Sequence, residues 1–117
     1  MVLLEYPFIL LHRPIVVDMK LKIPTGRYKG FTANYMIKVN GRPIYCGQSK
    51  DVFKRVGKHR SMMKNHKKLA TGVDLPDLDW HNDHITFELF NMYADLAGRK
   101  ELEQLIHDEC PELLSNP

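Results

Sequence analysis

The apolar positions of this chain change period along its length, and each change marks an element. Residues Ala33 to Val39 (ANYMIKV) and Pro43 to Cys46 (PIYC) are β-prone runs separated by Asn40-Gly41, a pair suited to the left-handed backbone of a two-residue hairpin turn. A β-hairpin is predicted, with Tyr35 and Tyr45 on paired strands where their hydroxyls converge if the register puts them on one face. Gly47 ends the second strand, and Ser49 with Asp51 opens a helix in which the Ser49 oxygen is placed to cap free N–H groups. That helix is predicted to run to about Lys67. Val52 and Val56 form its apolar stripe with Phe53 beside them, and Arg55 and His59, one turn apart, share a face. Leu69 to Asp83, with Gly, Pro and four aspartates, reads as a loop, whereas Ile85 to Phe90 (ITFELF) alternates and reads as a third strand. The last helix is expected from Asp95 or Leu96 to Glu109, burying Leu102, Leu105 and Ile106 and stopping near Cys110-Pro111.

The opening MVLLEYPFILLHR is apolar, but Glu5 and Pro7 interrupt it and no basic region precedes it. It falls well short of the ~20 residues that a membrane-spanning helix needs. Phe8 to Leu11 and Ile15 to Ile23 are instead read as extra strands or an extended arm, ended by the Pro24-Thr25-Gly26 turn. The chain is thus read as one domain of residues 30–117, with an arm of residues 1–29 packed on it. Its 117 residues allow a modest core of two layers and no separate targeting domain.

Charge changes the picture locally more than globally. The formal net charge is only +3, yet the stretch from Lys50 to Lys68 holds Lys50, Lys54, Arg55, Lys58, Arg60, Lys64, Lys67 and Lys68 against Asp51 alone. A block of that kind faces polyanions or keeps a helix solvated; beside a phosphate site it favours the first. His66 lies two turns beyond His59, placed either to contact phosphate or to stand exposed at a helix end. Cys46 and Cys110 fall in a strand and at a helix end, which reads as two reduced thiols in a cytoplasm rather than a disulfide framework. The string His81-Asn82-Asp83-His84 superficially resembles an HNH nuclease motif, but it sits in a loop leading into a strand, without the hairpin and helix that motif requires.

Tyr35, Tyr45-Cys46-Gly47, Lys50, Arg55 and His59 together resemble the signature of the GIY-YIG nucleases, in which two tyrosine-bearing strands precede a helix carrying an arginine and a histidine four residues apart. Glu101 in RKELEQLI resembles the family's metal-binding glutamate, and Asn116 the asparagine that often follows. The competing carboxylate, Glu103, projects about 200° around the helix from Glu101; Glu101 is preferred because its interval to Asn116 and the preceding Lys100 resemble the family pattern. The resemblance spans roughly residues 30 to 116. Two departures touch packing positions: Ala33-Asn34 stands where the family has Gly-Ile, and Cys46 replaces its isoleucine.

The resemblance implies an α+β fold, a small three-stranded antiparallel sheet flanked by helices, here with the N-terminal arm added. It implies a compact endonuclease of phage or mobile-element type that hydrolyses DNA phosphodiester bonds in a bacterial or phage-infected cell. The expected catalytic set is Tyr35, Tyr45, Arg55, His59 and Glu101. In that scheme Glu101 holds Mg²⁺ or Mn²⁺, and Tyr35 orients or deprotonates the attacking water. His59 accepts the proton and Arg55 clamps the phosphate. Gly47, Lys50, Lys54, Lys58, His66 and Asn116 are expected to contact the substrate, double-stranded DNA. Cutting both strands would take a homodimer or two successive nicks. The alternative is a non-catalytic nucleic-acid-binding or nuclease-regulating protein on the same scaffold.

Overall fold

Strand β2 (Ala33–Val39) carries five consecutive buried residues, from Ala33 to Ile37. A run buried at both odd and even positions needs cover on both faces of its sheet. The computed structural model, which describes residues 14–21 and 30–115, supplies that cover with one helix on each side. Among the described residues five further elements accompany β2 in chain order: β1 (Ile15–Asp18) before it, then β3 (Arg42–Ser49), α1 (Val52–His66), β4 (Ile85–Phe90) and α2 (Leu96–Glu109). The strands form one sheet in the order β1-β4-β2-β3, with every neighbouring pair antiparallel.

Asn40 and Gly41 join β2 to β3 with φ of 53° and 79°, the positive values that a two-residue turn demands of both central residues. This turn sets the register. Tyr35 lies opposite Gly47, Met36 opposite Cys46 and Ile37 opposite Tyr45. Tyr35, Ile37 and Tyr45 therefore share a face with Phe87 and Leu89 of β4, and pack with Val52, Val56 and Met63 of α1. Met36, Cys46 and Phe90 look the other way, onto Leu102 and Ile106 of α2. Burial of each such large apolar side chain contributes about 1.5–3 kcal/mol.

Among the described residues the sheet has four strands, the three expected and one contributed by the N-terminal arm. The fourth is β1, the described part of the N-terminal arm, which pairs with β4 from Ile15↔Leu89 to Asp18↔Thr86. Extending the sheet satisfies the outer edge of β4, whose backbone groups would otherwise lack partners. The readings of Phe8 to Leu11 and of Pro24-Thr25-Gly26 lie outside the described residues.

Three local expectations change. β3 runs through Gly47, its expected end, to Ser49. Ser49 does not cap α1; its Oγ accepts from the Asp51 N–H at 3.0 Å, and Asp51 occupies the N-cap without a side-chain capping bond. Leu105 is 43% exposed, so the buried stripe of α2 narrows to Leu102 and Ile106 with Arg99. The start of α2 is capped, since the Asp95 carboxylate accepts from the Gly98 N–H at 2.8 Å. The loop string His81-Asn82-Asp83-His84 forms a turn around Asp79, whose Oδ1 accepts from the N–H groups of His81 and Asn82. No helix among the described residues is long and apolar enough to cross a membrane.

Candidate active site

Among the described residues β3 is an edge strand, and its outer side is where both faces of the sheet become reachable from one point. A pocket of about 140 Å³ opens there, lined by Tyr35, Tyr45, Gly47, Gln48, Arg55, Thr71 and Glu103. Tyr35, Tyr45 and Gly47 come from the α1 face of the β2–β3 pair, Arg55 from α1 and Glu103 from α2. Gly47 makes the room: a Cβ on it would stand 2.5 Å from both Cζ and Oη of Tyr35. The two tyrosine rings lie side by side, their centroids 6.2 Å apart.

His59 is absent from the lining. It is 0% exposed, one turn beyond Arg55 but rotated into the core behind Tyr35. Its ring has two fixed contacts, one at each nitrogen. The Ala70 N–H donates to Nδ1 at 3.1 Å, which leaves the proton of a neutral imidazole on Nε2. Nε2–H accordingly donates to the Tyr35 Oη at 2.8 Å. Burial, reinforced by the Arg55 charge, pushes the His59 pKa down to about 3, so the neutral form is the one present near pH 7. The role expected for His59 as acceptor of the tyrosine proton is thereby corrected. It is a donor that orients Tyr35 and leaves the phenolic hydrogen free for a partner in the pocket.

Tyr35 is itself a phenol rather than a phenolate. Burial lifts its pKa well above the ordinary tyrosine range; the neighbouring Tyr45 adds to the rise and the Arg55 guanidinium opposes it. The Thr71 Oγ1 on the same wall is buried and has no hydrogen-bond partner among the described residues, an orphan of the kind that a bound oxygen or water satisfies.

The carboxylate expected at the site was Glu101; the one found there is Glu103. Glu101 is exposed and lines a different groove, with Asn91, Met92, Tyr93, Gly98, Leu102 and Leu105. The reason is how α2 lies against β3. His107 Nε2–H donates to the Cys46 carbonyl at 3.0 Å, fastening one flank of the helix to the sheet edge. Glu103, one turn before His107, occupies that same flank, while Glu101 points about 200° around the helix from Glu103. Glu103 is half-buried, and burial raises its pKa, with His107 and then Lys100 pulling it back.

A carboxylate that is costly to ionise, facing a small polar pocket, suits a divalent cation. Among the described residues no three His, Cys, Asp or Glu side chains cluster as a metal site. A lone carboxylate suits Mg²⁺ or Mn²⁺ with most of its shell as water, rather than an ion caged by protein ligands.

Of the expected substrate contacts, Gly47 lines the pocket. Lys50, Lys54 and Lys58 are exposed, around and along α1, and His66 is exposed in its last turn. Asn116 lies outside the described residues. Gln48 and Thr71 were not singled out as site residues from the sequence, where Glu103 is the competing carboxylate and Glu101 the preferred one. Only the fact that β3 is an edge among the described residues explains how Gln48, on the opposite face from Gly47, reaches the same pocket. Compared with protein-family models, with curated proteins and with solved structures, the chain matches none.

Proposed function

We propose that this protein is a metal-dependent endonuclease that hydrolyses DNA phosphodiester bonds, with a single-carboxylate site of the GIY-YIG type that its motifs resemble. One observation carries the reading: two tyrosines, an arginine and a glutamate from four separate elements line one pocket at the edge of the sheet, beside a helix rich in exposed lysine. Arg55 clamps the phosphate, because its planar fork cannot lose its proton and holds two oxygens at once. Tyr35, aimed by His59, offers its hydrogen to the pocket and orients the attacking water or a phosphate oxygen. Tyr45 closes the same wall. Glu103 is the ligand for Mg²⁺ or Mn²⁺, which when bound would stabilise charge on the leaving oxygen. Lys50, Lys54 and Lys58 hold the flanking backbone of duplex DNA by charge alone.

A second reading, nucleic-acid binding without cleavage, is favoured by the protonation states. Neither the buried neutral His59 nor the phenol of Tyr35 is a ready proton acceptor. Incubating the purified protein with supercoiled plasmid separates the two. Conversion to nicked or linear DNA in Mg²⁺, abolished by chelator, is the expected result; retarded but intact plasmid in both arms would establish binding alone.

A further inference from the structure

Behind the pocket lies a cation that no carboxylate among the described residues neutralises. Arg99 is 5% exposed, and among the described residues none of the ion pairs involves it. Its guanidinium donates from Nε to the Gln48 Oε1 at 3.0 Å and from Nη1 to the Ala94 carbonyl at 2.7 Å, both neutral acceptors. The backbone of Arg99 is held as well. Its carbonyl accepts from the Asn34 Nδ2 at 2.9 Å, and the Asn34 Oδ1 accepts from Asn91 Nδ2 at 2.9 Å. This ties β2, the start of α2 and the turn after β4 into one unit.

The contact decides which way the Gln48 amide faces. A guanidinium only donates, so the oxygen of Gln48 must be the atom turned to Arg99, and its NH₂ group is left to the pocket that Gln48 lines. A donor with a fixed orientation, backed by a buried positive charge, is matched to an anion and mismatched to a cation.

We infer that Gln48 is a further substrate-contacting residue, its NH₂ donating to a non-bridging oxygen of the phosphate that Arg55 clamps, and that Arg99 is the positioning residue that orients it. The inference rests on the nuclease reading above and adds to that site a neutral donor on the wall where β3 meets α2. Gln48→Glu is the informative change. A carboxylate at that position keeps, and strengthens, the contact with Arg99, so the fold is preserved; it presents an oxygen to the phosphate where an N–H stood.

The test is single-turnover cleavage of a duplex in Mg²⁺, alongside thermal melting of each full-length variant. Gln48→Ala should slow cleavage about 10- to 100-fold, and Gln48→Glu more, with melting temperature unchanged or raised in the latter. Replacing one non-bridging phosphate oxygen by sulfur should slow the parent protein, and that sensitivity should shrink in Gln48→Ala if the amide is its partner. Arg99→Lys should slow the parent protein but add nothing in the Gln48→Ala background, whereas a purely structural role would give additive losses. Cleavage by Gln48→Glu at the parent rate would overturn the role of Gln48 and leave the nuclease reading standing. No cleavage by the parent protein under any divalent cation would overturn both.

Discussion

Glu101 and Glu103 stand on either side of the buried Leu102 on α2, and only the second faces the pocket. Glu103→Gln should reduce metal-dependent cleavage by about two to three orders of magnitude, the scale of losing one electrostatic partner of the transition state, while DNA retention in chelator persists. Glu101→Gln should leave the rate close to that of the parent; equal losses in both variants would return the metal to an unassigned position. Gly47 offers a separate check. An alanine there drives its methyl into the Tyr35 phenol, so Gly47→Ala should cost about 1–3 kcal/mol in urea unfolding and lower the cleavage rate by displacing the hydroxyl. The choice between the glutamates was not legible in the sequence. Both lie about 100° from Leu102, and the flank that meets β3 is decided by a contact between residues 61 positions apart, His107 with the Cys46 carbonyl.

At the scale of the element, α1 was legible in its extent, from Val52 to His66 against an expected end near Lys67, and Lys67 closes it with φ of 50°. Its hidden face was legible only in part: the sequence pattern puts Val52, Val56 and Phe53 on it, whereas His59, a polar residue, reads with Arg55 instead. Val52, Val56, His59 and Met63 follow one another at intervals of 4, 3 and 4 and are all buried, the spacing of a single apolar stripe. On the opposite face Lys54 and Lys58 are exposed. Replacing both by glutamine should weaken duplex binding roughly uniformly across sequences and reduce the slope of log affinity against log salt by about 2. An unchanged slope, measured by fluorescence anisotropy across salt concentrations, would place the DNA on another face.

For the molecule as a whole, the hairpin, the strand from Ile85 to Phe90 and both helices were visible as periodicities, because each buries a face whose spacing its backbone imposes. The place of β1 was not. Period 2 identifies a strand but not its neighbour, and antiparallel pairing of Ile15–Asp18 with β4 joins segments about 70 residues apart. The core so assembled also carries a built-in acid limit. His59 is neutral in the folded chain down to about pH 3, below its ordinary value of 6.5. Its contribution is complete above pH 6.5 and is lost as pH falls toward 3, since only the unfolded chain takes up the proton. This should lower stability by a few kcal/mol across that range. His59→Gln should flatten the dependence of unfolding free energy on pH between 6.5 and 4; an unaltered slope would show that the imidazole is not the group responsible.

The position of β3 at the rim of the sheet has a temporal consequence for the proposed reaction. A centre on the flank of the protein admits one backbone of the double helix, and the complementary backbone, lying across a groove, is out of its range during the same encounter. Open circles should therefore build up before linear molecules in a time course at low protein concentration, and the interval between them reports how long one chain needs to let go, turn and engage again.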